Sequence, residues 1–471
     1  MEQPAKRSNS IIKEYLETVC NQIRCKKVHG VISAEIENHI NDQKEAYEAQ
    51  GMEEETAAIK AIEQMGDPVA VGTALDRTHR PKPEWSIIIL TSLLLVAGII
   101  LRFFTSPQSI NGIENYNRQL LFTVVGIGLM GFFYFLDFTM LGKYPKLIFF
   151  SLVALTPVIF LLTSPMHGRY MYLTYLIMLF PTAFAGIVYS MRGRGYKGIV
   201  LCGLYFFIPL AIAYIAPSFA GILFLTLSCL LILTIAILKG WFGVKKLYGM
   251  LLIYLPVIAV FFIGFFMILI RNPYAWERIV AIFNLSRDPQ SAGYMGSVVR
   301  QLIEGAIFIG PGTLPINYEG VTASQILPGF NDDFLLTYSI HQYGWLVFII
   351  IITLLIVFIA RTLVLCAKQK STLAGLVSLS VISTITFQAL VYIAVNLGFI
   401  LVSPFSLPFI SKGNAFLLVN MCLAGILLSV FKTGHFIKDE KDSRRAGKKA
   451  EEDSFVKFED GKLTIDFRMH R

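Results

Sequence analysis

Of 471 residues, 55% are hydrophobic and 15% charged, whereas soluble domains carry about a quarter charged residues. A soluble core cannot absorb that much apolar sequence, which excludes a globular cytosolic enzyme. The formal net charge of +9 belongs with loops and tails facing anionic lipid rather than with a nucleic-acid surface, and no nucleic-acid partner is expected.

Residues 1 to about 80 are polar and lack a charged stub followed by a short apolar run, so no cleavable signal peptide is expected and the first membrane helix serves as the insertion signal. Apolar residues recur at helical spacing in Ile11, Ile12, Tyr15, Leu16 and Val19, in Val31, Ile32, Ile36 and Ile40, and in Ala57, Ile59, Ala61, Ile62 and Met65. The spacing predicts three short amphipathic helices, broken at Gly51 and at Gly66-Asp67-Pro68. Through EIENHI and AIKAIEQMGDP the segment resembles the short prefix domain found ahead of some Gram-positive permeases and membrane regulators, which implies a cytoplasmic interaction module rather than chemistry.

Pro81, Pro83 and Trp85 form a stiff junction with an interfacial anchor. Uncharged runs follow at 85–101, 119–136, 147–168, 170–191, 198–238, 247–270, 334–360, 371–411 and 413–431. A bilayer crossing needs about 20 residues, so 198–238, with Pro209 and Pro217 near its middle, reads as a hairpin of two helices. The end of the 371–411 run, SPFSLPFIS, reads as loop or re-entrant backbone. The expected fold is therefore all-α: ten transmembrane helices over 85–431 plus a small helical N-terminal domain over 1–80.

Eleven Lys and Arg residues occupy one alternate set of short connections, and only Arg102, Arg118 and Arg169 occupy the other. The positive-inside rule then places both termini in the cytoplasm of a multi-pass membrane protein and the long connection 271–333 outside. The tail 432–471 alternates basic and acidic residues and reads as a solvated, partly disordered cytoplasmic segment. Six cysteines, at 20, 25, 202, 229, 366 and 422, form neither an extracellular disulfide framework nor a zinc pattern.

No phosphate loop, HExxH helix, GxSxG elbow or Rossmann fingerprint is present. Two polar interruptions remain. In NDDFLLTYSIHQYGW, residues 331–345, Asp332 and Asp333 stand where the long loop enters the eighth helix. A partly buried carboxylate with a like-charged neighbour is suited to act as a general base; the competing reading is a helix N-cap. His341, about two turns further on, is either a proton relay or a hydrogen-bonded packing residue. In 387–420, Gln388 and Asn396 lie about 80° apart around the ninth helix. Pro404, Pro408 and Gly413 break regular structure there, and Ser411 and Lys412 complete a phosphate-binding candidate, against the alternative of interhelical packing.

The DDFLL run followed by Gly344, FQALVYIAVNLG, LPFISKG, LLVN, RQLLFTVVGIGLMGFFYFLDF and RIVAIFNLSRDPQSAGY together resemble the SEDS family of shape, elongation, division and sporulation proteins (RodA-, FtsW- and SpoVE-like) over roughly residues 85–431. The resemblance implies polymerisation of peptidoglycan glycan strands from lipid II, an undecaprenyl pyrophosphate-linked glycan, with a class B penicillin-binding protein as partner. The family's essential acid, which follows a Thr and precedes Phe, falls on Asp333, with Asp332 in the Thr place. Arg278 matches a family Arg and is a candidate for pyrophosphate contact. The chain departs from the family pattern at FPTA (180–183), APSFA (216–220), His341-Gln342 and the KGNAF that follows LPFIS. A divalent cation, Mg or Mn, beside the pyrophosphate is compatible with this chemistry, and no ligand cluster in the sequence specifies one. The competing functions are a lipid-linked sugar carrier or flippase and a non-catalytic scaffold for a transpeptidase.

Overall fold

A computed structural model describes residues 4–24, 26, 29–109, 112–164, 170–215, 219–271, 294–314, 318, 320–399, 405–410, 414–434, 456–459 and 462–465. The chain divides into two compact units, one of Glu84–Phe431 and the other of Met1–Pro83 with Lys432–Arg471.

The N-terminal residues form four helices, α1 (Pro4–Gln22), α2 (His29–Glu48), α3 (Glu54–Met65) and α4 (Pro68–His79). Ile12, Tyr15, Leu16 and Val19 on α1, Ile32, Ile36 and Ile40 on α2, and Ala61 on α3 close a single apolar core, as their spacing requires. The fourth helix exceeds the sequence expectation of three. Gly66 ends α3, but Asp67 starts a new helix rather than a loop: its carboxylate accepts from the Ala70 N–H at 2.9 Å, and Pro68 fills the first helical position, where no N–H is needed. Gly72 on α4 faces Val19 so closely that a Cβ would lie 2.7 Å from its carbonyl oxygen.

The second unit holds α5 (Trp85–Thr105), α6 (Gly112–Phe135), the short α7 (Met140–Lys143), α8 (Pro145–Leu162), α9 (Met171–Ile177), α10 (Phe180–Met191), α11 (Gly195–Ile215), α12 (Phe219–Leu238) and α13 (Lys246–Arg271). The long connection contributes α14 (Tyr294–Glu304), α15 (Ala323–Ile326) and α16 (Leu335–Tyr343), followed by α17 (Trp345–Ala367), α18 (Thr372–Asn396) and α19 (Asn414–Thr433). Ten helices among the described residues are long and apolar enough to cross a membrane. The protein is a multi-pass membrane protein. The fourth, ninth and tenth spans are 72%, 67% and 67% buried and form the centre of the bundle, while the third and seventh, at 6% and 11%, lie at its periphery. In the tail, β1 (Val456–Glu459) pairs antiparallel with β2 (Lys462–Ile465), a hairpin the charge pattern did not announce.

Two departures from the apolar runs shape the site. The run 334–360 is not one helix, because Gly344, at φ 96°, ends α16 and starts α17. The eighth crossing therefore begins at Trp345, and the acidic pair precedes a separate short helix. Arg102, expected in a loop, lies inside α5 and is buried, and Arg118 lies inside α6 beside Glu114. The 371–411 run ends its helix at Asn396, and residues 405–410 return as buried non-helical chain. There Phe409 adopts φ 64°, costly for a residue with a Cβ, with its ring packed edge-on to Phe358 at 5.6 Å. Gly98 on α5 lets the Ile410 backbone approach.

Candidate functional site

The site is a turn, Asn331 to Phe334, held by its backbone. Three successive carbonyls each accept a hydrogen bond from a buried side chain. Arg102 Nη1 donates to the Asn331 oxygen at 2.6 Å, the Tyr392 hydroxyl to Asp332 at 3.1 Å, and Asn396 Nδ2 to Asp333 at 2.9 Å. The Gly329 carbonyl takes the N–H groups of Asp332 and Phe334 at 2.9 and 3.1 Å. Arg102 comes from α5, and Tyr392 and Asn396 come from α18, so two membrane helices fix one loop.

Asn396 also joins two helix ends. The N-cap position of α16 is Phe334, whose side chain can accept nothing. Asn396 Oδ1 accepts from the Thr337 N–H at 3.0 Å, supplying from another helix the acceptor that a cap residue would give. In return the Thr337 hydroxyl donates to the Asn396 carbonyl at 2.7 Å, one of the orphan acceptors at the end of α18. The same end closes with Gly398 at φ 73° and bonds from Gly398 N to Val395 and from Phe399 N to Ala394. Arg300 of α14 adds Nε to the Gly398 carbonyl at 3.1 Å, tying the long connection to this helix end.

With its main chain bound, the turn presents its carboxylates outward. The Asp332 side chain is 41% exposed and Oδ1 lies 3.4 Å from Arg102 Nη2, whose own residue is 3% exposed. Asp333 is exposed, and both acids lie within charge range of the Tyr175 and Tyr392 hydroxyls. The geometry offers an acid pair fixed from behind, with Arg102 beside Asp332.

His341 lies apart from this pair. Its Nδ1 meets the Leu302 carbonyl at 3.0 Å and its own carbonyl accepts from Gly312 N at 2.7 Å, so the ring packs between α16 and the long connection. Burial pushes the imidazole below its ordinary value of 6.5, with the Leu302 carbonyl pulling the other way. Gln388 is also separate: its Nε2 donates to the Ser406 carbonyl at 2.8 Å, anchoring the 405–410 segment, while Oε1 has no partner among the described residues. Arg278, Ser411 and Lys412 lie outside the described residues. No group of three His, Cys, Asp or Glu side chains gathers among the described residues. A cavity of about 220 Å³ between α11, α12 and α13 is lined by apolar residues such as Phe206, Leu233 and Pro256, without a carboxylate, and contributes no chemistry of this kind.

Residues 84–435 match the FtsW/RodA/SpoVE family, described as cell cycle proteins. The chain belongs to this family. Among curated FtsW/RodA/SpoVE relatives, Stage V sporulation protein E of Bacillus subtilis (strain 168) is 26% identical over 37% of this chain and 46% of its own length. A probable peptidoglycan glycosyltransferase FtsW of Trichlorobacter lovleyi is 25% identical over 35% of this chain and 42% of its own. The matches thus span under half of these two relatives. In fold, a chain from a study of a peptidoglycan synthase complex aligns over 76% of this chain and 99% of its own length, with a TM-score of 0.59 and 16% identity. The rod shape determining protein RodA of Thermus thermophilus aligns over 76% and 98%, with 0.51 and 14%. The FtsW/RodA/SpoVE architecture is therefore present from the first span to the last.

Sequence reasoning missed Arg102 and Tyr392. Arg102 carried one signal, a cation closing an apolar run. Tyr392 carried none, since a tyrosine among FQALVYIAVN reads as core.

Proposed function

We propose that the protein is a membrane glycosyltransferase that polymerises glycan strands from lipid II at the outer face of the cytoplasmic membrane. The observation that carries the reading is the backbone-clamped Asn331–Phe334 turn, which presents Asp333, the position matching the family acid, at one end of a bundle with the FtsW/RodA/SpoVE fold. In the proposed step the Asp333 carboxylate takes the proton of an acceptor sugar 4-hydroxyl. The freed oxygen attacks the donor anomeric carbon, and the bond to undecaprenyl pyrophosphate breaks with inversion. Arg278, Ser411 and Lys412 are proposed for the pyrophosphate. Gln388 supports the 405–410 segment beside it. A class B penicillin-binding protein is the proposed partner, residues 1–80 the proposed cytoplasmic interaction module, and the charged tail a cytoplasmic segment.

The test is synthesis of glycan from lipid II by the full-length protein in liposomes, alone and with a class B penicillin-binding protein. General-base catalysis contributes about 10²–10⁴-fold, so Asp333→Ala is expected to lose at least about 100-fold. Wild-type glycan yield from Asp333→Ala would sink the general-base role, whereas complementation in cells by Asp333→Asn at normal expression would favour the scaffold function. Lipid transfer between leaflets without glycan would favour the carrier.

A further inference from the structure

The connection before α16 carries a loop with a tied base and an apolar tip. The Thr313 N–H donates to the Gly305 carbonyl at 2.9 Å and closes the segment into a compact loop whose ends meet. Its base is fixed to α16: the Gly312 N–H donates to the His341 carbonyl at 2.7 Å, and a Cβ on Gly312 would lie 2.5 Å from the Gly305 carbonyl oxygen. Its other side caps a membrane span. The first N–H groups of a helix have no partner within it, and at α17 two of them, on Trp345 and Leu346, donate to the Ile307 and Phe308 carbonyls, each at 3.1 Å. The loop is thereby joined to the eighth span where that span begins.

What the loop exposes does not suit water. Ile307, Phe308 and Ile309 at the tip are 47%, 60% and 63% exposed, and no Asp, Glu, Lys or Arg occurs from Gly305 to Tyr318. Three consecutive exposed apolar side chains mark a contact surface. The tip continues the lipid-facing surface of the spans: Phe103 and Phe104 at the end of α5 and Leu346 and Ile349 on α17 are exposed too. Tyr343 joins the two sides, its carbonyl accepting from the Gly310 N–H and its hydroxyl donating to the Phe104 carbonyl, both at 3.1 Å. Trp345 stands beside them, a residue type that anchors spans at headgroup level. With the Ile307 and Phe308 carbonyls already bonded, the tip can leave water without orphaning them.

We propose that the Gly305–Thr313 loop inserts into the lipid leaflet at its end of the bundle, with Ile307, Phe308 and Ile309 reaching the acyl chains. Both ends of α16 meet the last turn of α5, Arg102 at the Asn331 carbonyl and Phe104 at Tyr343. A loop seated in that leaflet therefore keeps the acid turn beside the headgroups, where a lipid-linked pyrophosphate lies. This last step rests on the glycosyltransferase reading; the insertion does not.

The experiment uses the full-length protein in native membranes, with the photoreactive p-benzoylphenylalanine in place of Phe308 or of Ile309, and in place of Phe103 as a lipid-facing control. Both tip positions carry exposed side chains, so the fold should tolerate the change. After illumination, the peptide holding position 308 or 309 should gain the mass of one phospholipid, with fragments that place the bond on an acyl chain and a yield comparable with that at 103. Hydrogen exchange of the wild type in liposomes should show the Trp345 and Leu346 amides protected. Adducts to headgroups alone, no lipid adduct at either tip position while 103 gives one, or fast exchange at both amides overturns the inference. An adduct to a protein in place of lipid overturns it in favour of a protein-docking loop. Each of these outcomes leaves the glycosyltransferase reading intact, and full glycan synthesis by Asp333→Ala would sink the general-base role while leaving the insertion standing.

Discussion

Asn396 ties the charged turn to two helix ends through one carboxamide, and that economy makes it sensitive. Replacing it by Ala leaves the buried Thr337 N–H and the Asp333 carbonyl without the partners they now have. Each orphaned buried group costs about 1–3 kcal/mol, so Asn396→Ala is expected to lose about 2–4 kcal/mol. Faster hydrogen exchange at the first turn of α16 would localise the loss, and unchanged exchange there would refute the capping role. His341 gives a second expectation, in pH. Because burial lowers its proton affinity in the fold, the unfolded chain binds the proton more readily. Its stabilising contribution is therefore complete above about pH 6.5 and lost as pH falls through the lower folded-state value. His341→Gln keeps a donor for the Leu302 carbonyl and removes the titration, so its thermal midpoint should fall less than that of wild type between pH 7.5 and 5. At this scale the sequence made Asp332, Asp333 and Asn396 legible because polar residues in apolar runs are conspicuous. It could not show that Gln388 and Asn396, 80° apart on one helix, serve different partners, nor that Arg102 turns inward. Those facts depend on contacts made far away in the chain.

Among the elements, the spans themselves were readable, since a helix that crosses lipid must be apolar for its whole length and charge marks where it stops. Less readable were breaks that leave hydropathy unchanged. Gly344 separates α16 from α17 within one apolar run, and the division matters because it sets the acidic turn on a short helix of its own. The junction is tied to the long connection by bonds from Gly310 N to Tyr343 at the end of α16 and from Trp345 N to Ile307 and Leu346 N to Phe308 at the start of α17. Gly344 has positive φ, and a Cβ there would run into the Phe308 carbonyl. Gly344→Ala should therefore cost at least about 2 kcal/mol, seen as a lower thermal midpoint in detergent and weaker protection of residues 306–310. A neutral outcome would mean that α16 and α17 can join as a continuous helix. The α3–α4 boundary shows the opposite error: Gly66-Asp67-Pro68 is strong turn chemistry, but Asp followed by Pro also opens helices, and only the downstream periodicity of VAVGTAL separates the two.

For the whole molecule, the chemistry depends on parity. On the proposed topology, ten spans leave both termini in the cytoplasm and the Asn331–Phe334 turn, between the seventh and eighth spans, on the outer side. Lys143, Arg194, Lys239, Lys245, Lys368 and Lys370 fall on connections that this topology assigns to the terminal side, the side on which the positive-inside rule expects them. Alkaline phosphatase fused after Ser109 or Gly310 should be active, and fused after Gly193, Gly240 or Lys370 inactive, with green fluorescent protein giving the reverse pattern. A single crossing more or fewer between residues 241 and 310 would invert the results for Gly310 and Lys370 together and deliver the acid pair to the cytosol. A polymerase that draws its donor from the outer leaflet could not work from there, however well the turn is clamped.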